Sequence, residues 1–213
     1  PLIPIGNELH PARYSVVHPF LVSLWLRAHG GDLDSVFSWS PFAVMIGFVC
    51  LYAFLIWLKL KPIYRLLAFG VILFSPVVFY ASRSLMQEST LFLLMNAAIA
   101  LYAASLSLYG HVEKRWTKWA ALAALFLSSA AATALACIRP TAGLLLPLFG
   151  LHVLLSVPGK KKLVLVALMA LAWATVIAPV LLYVRDISGQ WNLLLYSHWL
   201  PVEFFSLKRP FEA

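Results

Sequence analysis

Few residues in this 213-residue chain are equipped for chemistry, and most of them stand at the ends of long apolar runs. The clearest group is Tyr80-Ala-Ser-Arg83-Ser-Leu-Met-Gln-Glu88, where an arginine and a glutamate bracket four residues. A guanidinium donates in a fixed fork that suits phosphate, and the carboxylate beside it could assist a cation or a hydroxyl. The plainer alternative is a solvated loop with a local ion pair, worth under about 1 kcal/mol. Arg139, directly before Pro140, is a second arginine at a tight joint, with no acid near it in sequence. It either faces a cavity or partner, or snorkels its guanidinium to the lipid headgroups. A third group is Glu8, His10, Arg13 and His18. Its Glu-x-His spacing makes Glu8 and His10 candidate ligands of a divalent metal; histidines bonded to lipid or backbone are the alternative. No Walker loop, GxGxxG, HExxH or GxSxG is present, so the signatures of soluble enzymes are absent.

The elements that must position these groups are set by composition. Hydrophobic residues make up 62% of the chain and charged ones 11%, against about 25% charged in an average soluble domain. A bilayer accommodates that composition, because each span takes about 20 mostly apolar residues. Six such runs are predicted, over 41–60, 62–82, 88–109, 117–138, 140–158 and 162–184. The fold class expected is therefore all-α, a polytopic transmembrane bundle of about six spans. Residues 1–40 form a loop with one short interfacial helix around Phe20–Arg27, and 185–213 an aromatic interfacial segment. Pro62 and Pro140 suit the first turns of their helices. Asn96 and Thr133 are expected to bond between helices, and Ser128–Ala136 to allow close packing. His152 reads as a packed, hydrogen-bonded residue towards the cytoplasmic side. Cys50 and Cys137 read as small buried hydrophobes.

The formal net charge is +8, but the basic residues lie between runs and form no stripe for nucleic acid. One set of alternate loops holds Lys59, Lys61, Arg65, Lys114, Arg115, Lys118, Lys160, Lys161 and Lys162, with Glu113 as its only acid. The other short loops hold three basic residues, Arg83, Arg139 and Arg185, with Glu88 and Asp186. This bias puts the lysines in the cytoplasm and both ends of the chain on the other side. That side is the periplasm if the membrane is a bacterial inner membrane, or the lumen if it is the endoplasmic reticulum. The opening Pro-Leu-Ile-Pro and the ending Phe-Glu-Ala suggest a fragment.

Three phrases, taken in order, resemble the GT-C superfamily of glycosyltransferases, in the branch of the protein O-mannosyltransferases and lipid A aminoarabinose transferases. His18-Pro19-Phe20-Leu21 looks like the branch's (K/H)-P-P-L, with Phe20 in place of the second proline. Ser75-Pro76 through Tyr80, Arg83 and Glu88 is similar to S-P…Y-x-x-R-x-x-x-x-(D/E), and Arg139-Pro140-Thr141 through Pro147 to (K/R)-P-T…L-L-P. The resemblance covers most of the chain. It implies inverting sugar transfer from a polyprenyl-phosphate-linked donor among the membrane lipids, with Arg83, Glu88, Arg139 and His18 binding substrate. The family's catalytic aspartate lies some tens of residues before the proline phrase, and Glu8 is too close to His18 to match it. The sugar, the acceptor and the catalytic base are not given by these motifs. A non-catalytic subunit of a larger membrane complex and a lipid or solute transporter are the rival readings.

Overall fold

In lipid every backbone N–H and C=O must be satisfied internally, and for an open chain the helix is the solution. The computed structural model describes residues 2–5, 8–11, 17–32, 34–76, 78, 82, 87–110 and 115–188. Its helices are α1 (Val17–Ala28), α2 (Ser35–Trp57), α3 (Pro62–Leu73), α4 (Glu88–Gly110), α5 (Arg115–Ile138), α6 (Leu145–Ser156) and α7 (Lys161–Ser188), with a 3-10 turn at Pro140–Leu144. A short hairpin precedes them: β1 (Leu2–Ile5) pairs antiparallel with β2 (Glu8–Pro11), Ile5 opposite Glu8 and Ile3 opposite His10. That hairpin was not expected. Its strands carry Pro4 and Pro11, which obscure any strand pattern.

Four helices are long and apolar enough to cross a membrane, over Ser35–Trp57, Glu88–Tyr109, Arg115–Ile138 and Lys161–Tyr183. The 23 residues of α2 extend about 35 Å, against about 30 Å of hydrocarbon. The chain is an integral membrane protein of the all-α class. The two other apolar runs form shorter helices, Pro62–Leu73 and Thr141–Ser156. The first stops at Phe74-Ser75-Pro76, where the proline cannot donate to the preceding turn and its ring crowds it. The second enters through the 3-10 turn, with Pro140 at its first position.

Contacts between helices set their directions. Ser40 and Ser89 meet near the heads of α2 and α4, and Gly47 lies against Phe92 further along, so these two helices run the same way. Phe69 of α3 packs on Phe48 and Tyr52 of α2, with ring centroids 5.0 and 6.1 Å apart. An apolar groove between them is lined by Tyr52 and Leu66 low down and by Pro41 and Ser82 at the other end. α3 thus runs back antiparallel along α2, and Ser82 lines the same groove. α5 returns antiparallel to α4: its Ser128 donates to the carbonyl of Ala98 at 2.7 Å, while Arg139 reaches Glu88. α6 descends again to Tyr102 of α4, and α7 climbs back after a turn in which Gly159 takes φ +71°.

Small residues let these helices approach. Ala98, Ser128, Ser129, Ala132 and Thr133 are fully buried, as the small-residue run of α5 suggests. Tyr102 stacks on Phe149 at 4.1 Å, and its hydroxyl lies 3.1 Å from the Phe149 carbonyl and 2.8 Å from His152 Nδ1. His152 is therefore hydrogen-bonded, although its side chain is exposed rather than packed. Asn96 and Thr133 differ from expectation: each donates to the carbonyl four residues back in its own helix, Phe92 and Ser129. A short polar side chain finds that carbonyl with no help from a neighbour. Ser128 makes the bond between helices instead.

Candidate functional site

One end of the bundle collects the polar side chains. It is formed by α1, the heads of α2 and α4, and the end of α5. The opposite end carries Lys59, Lys61, Arg65, Arg115, Lys118 and Lys160–Lys162 in the turns that follow α2 and α6 and open α5. The helix α1 is too short to span, at 12 residues, about 18 Å. Its Trp25 ties it to the start of α2, donating from Nε1 to the Ser35 carbonyl at 2.9 Å and packing against the Phe42 ring, tilted by 31° with centroids 4.3 Å apart. Phe20 and Leu24, one turn apart, are left exposed on the other face, as suits a helix lying in the interface.

That anchoring brings His18 over the head of α4. His18 Nδ1 lies 2.8 Å from Thr90 Oγ1, and the indole of Trp39 donates to the same oxygen at 3.0 Å. An indole N–H can only donate, so one lone pair of Thr90 belongs to Trp39. The hydroxyl then either gives its hydrogen to a neutral imidazole or accepts one from His18, and the ring is held in both cases. Thr90 and Ser89 are fully buried, and Ser40 and Trp39 nearly so. The platform under His18 is thus inside the bundle.

One residue before Ser89, Glu88 meets Arg139. Their nearest atoms, Oε1 and a terminal guanidinium nitrogen, stand 3.6 Å apart, with the side chains 31% and 56% exposed. The distance makes this an ion pair without a hydrogen bond. Arg139 had no acid near it in sequence; the fold supplies one 51 positions away. Glu88 also stands in the first turn of α4, where a carboxylate complements the helix dipole. Its Oε2 and the Oε1 of Gln87 are buried, and neither has a hydrogen-bond partner.

Of the residues singled out from sequence, His18, Glu88 and Arg139 come together here. Arg83 lies outside the described residues. The backbone of Glu8 and His10 is on β2, and their side chains lie outside the description as well. Among the described residues no three His, Cys, Asp or Glu side chains gather as a metal site would require. Sequence reading missed Thr90, Trp39, Ser40, Ser89 and Gln87. Their only signal was position, since each is a polar or hydrogen-bonding residue at the head of an otherwise apolar helix.

These features define a polytopic α-helical membrane protein with a polar cluster at one end of its bundle. Beyond that class the comparisons are silent: the chain matches no known protein family, no curated protein and no solved structure.

Proposed function

We propose that this chain is a GT-C-type glycosyltransferase, or part of one, taking a sugar from a polyprenyl-phosphate donor at the non-cytoplasmic face. One observation carries the reading. Three phrases far apart in sequence, those of His18, Glu88 and Arg139, meet at one end of the bundle through the His18–Thr90 and Glu88–Arg139 contacts. A lipid-linked donor is confined to the membrane surface, so groups that handle its phosphate must gather at one leaflet. This cluster sits at a bundle end, opposite the lysines.

In this reading the chain crosses the membrane six times. The two shorter apolar segments complete the alternation, and the antiparallel course of α3 along α2 supports the second crossing. The lysine turns then face the cytoplasm, in a bacterial inner membrane or, as the alternative, the endoplasmic reticulum. The acceptor's nucleophilic atom attacks the anomeric carbon as the phosphate–sugar bond breaks and gives up its proton to a base that these motifs do not supply, while negative charge grows on the leaving phosphate. Arg139, oriented by Glu88, and Arg83, by its place in the motif, stabilise that charge. Donors fixed in advance where charge develops are the largest single contribution in many enzymes. His18 positions the donor headgroup from its seat on Thr90.

Replacing Arg83 by alanine in the complete protein tests the proposal. Transfer of sugar from the polyprenyl-phosphate donor should be lost while membrane insertion and yield stay unchanged. Unchanged turnover would favour a non-catalytic subunit of a larger complex.

A further inference from the structure

The seam where α5 and α7 begin gathers basic side chains. Both helices start at the lysine end and pack along each other. Arg115 and Lys118 stand at the head of α5, and Lys160, Lys161 and Lys162 lead into α7. Gly159, at φ +71°, turns the chain sharply after the buried Val157 and returns these lysines to the bundle. Lys118 stands one turn before Leu122, and Lys161 one turn before Leu165. Leu165 and Leu125 belong to one apolar core, and Leu122 packs on it. Residues four apart share a helix face, so the two lysines overlie the seam. Topology asks only that cations stand on one side of the membrane. It does not ask that they crowd one seam.

The chemistry of this seam is one-sided. Arg115, Lys118, Lys160 and Lys161 are exposed and Lys162 is half-buried, and none of them has an ion pair among the described residues. Neither helix has an acid in its first turn, and Glu113 lies outside the described residues. Beside the cations Trp116 and Trp119 are 79% and 62% exposed, and an indole N–H can only donate. Cations and indoles together call for an anion that only accepts, as a phosphodiester does. A free phosphate would use no more than this upper half. Directly after the lysines Leu163 and Val164 are also exposed, so the same surface turns apolar towards the hydrocarbon. A phosphate above and an acyl chain below make an anionic phospholipid.

We propose that the heads of α5 and α7 bind an anionic phospholipid from the leaflet on the lysine side. Lys118 and Lys161 hold its phosphate, and its acyl chains lie along Leu163 and Val164. Lysine stems run over apolar surface and lift the ammonium to headgroup level, where tryptophans also sit. The site stands apart from the sugar-transfer reading, whose residues lie at the other end of the bundle. The turn between α2 and α3 supplies a contrast. Its Lys59 and Lys61 are exposed as well, but α4 packs between α2 and α5, so they stand away from the seam.

The test follows binding of phosphatidylglycerol and phosphatidylcholine to the full chain in detergent by native mass spectrometry. The native chain should bind phosphatidylglycerol in preference. Lys118→Gln with Lys161→Gln should bind it at least about tenfold more weakly. Lys59→Gln with Lys61→Gln loses the same charge and should bind it like the native chain. Soluble glycerol phosphate at the same concentration should not displace the lipid. Equal weakening in both double variants would reduce the effect to net charge and overturn the proposal. So would unchanged binding after the change at Lys118 and Lys161, or a native chain that treats the two lipids alike. Displacement by glycerol phosphate would make this a site for free phosphate and overturn the lipid assignment. If the seam variant melts below the native chain in phosphatidylcholine, Lys161→Gln alone, at an exposed position, is compared with Lys59→Gln by the same criteria. Lys118→Arg with Lys161→Arg keeps the charge and should keep the preference; its loss would also count against the site.

Discussion

Arg139→Ala should lower sugar transfer at least about 100-fold while changing the stability of the protein by under about 1 kcal/mol. The two effects separate because of where the residue sits. Arg139 is more than half exposed, and its partner Glu88 stands 3.6 Å away, so the ion pair is screened and contributes little to holding the bundle. The same exposure leaves its donors available to a phosphate arriving from the membrane surface. Arg139→Lys keeps the charge and loses the planar fork, so an intermediate rate is expected. Transfer and melting temperature measured on the same nanodisc samples check both halves. A full rate for Arg139→Ala would reduce the residue to one that merely snorkels, while a large drop in stability would make it structural.

The second large effect is expected at Gly47, in the middle of α2. A methyl group built there would stand 2.5 and 2.7 Å from two ring carbons of Phe92 and 3.4 Å from the Cα of Leu93. Lipid tails are as apolar as the helices, so α2 and α4 hold together by close packing rather than by escape from water. Gly47→Ala must push the Phe92 ring aside, at about 1–3 kcal/mol. Gly47→Val adds branched atoms towards the α4 backbone and should be worse. The consequence reaches the site, because α2 and α4 also carry Trp39 and Thr90, which seat His18. Thermal unfolding should show the loss, and Gly47→Ala combined with Phe92→Ala should recover part of it, since the two residues touch. Native stability in Gly47→Val would contradict the close approach.

Much of the frame was legible before any coordinates, and the reason is physical. Long apolar runs punctuated by lysines carry their own meaning in a bilayer, so α4, α5 and α7 begin and end within a few residues of where hydropathy puts them. The differences fall at prolines. The first run was expected from residue 41, whereas the helix starts at Ser35 and carries Pro41 inside. The helix that opens the second run ends at Leu73, just before Pro76, and Pro140 turned the start of the fifth into a 3-10 segment. Of the site, the charged members announced themselves because a charge beside an apolar run is conspicuous. Thr90 and Trp39 did not. Their importance comes from a contact across 51 positions, and nothing local in the sequence encodes such a contact. Gln87 was hidden for a further reason: what marks it is an unmet hydrogen bond, and that exists only in the packed state.

The account rests on Glu88, Arg139 and His18 opening to one leaflet and the lysine turns to the other. Single cysteines at Asp34, Asp186 and Gly159, in a background with Cys50 and Cys137 replaced by alanine, can be labelled with an impermeant maleimide. Right-side-out and inverted vesicles are then compared. The cysteines at positions 34 and 186 should react only in right-side-out vesicles, and the one at 159 only in inverted ones. Labelling of 159 from the same side as 34 would place the lysines beside the polar cluster and contradict the account.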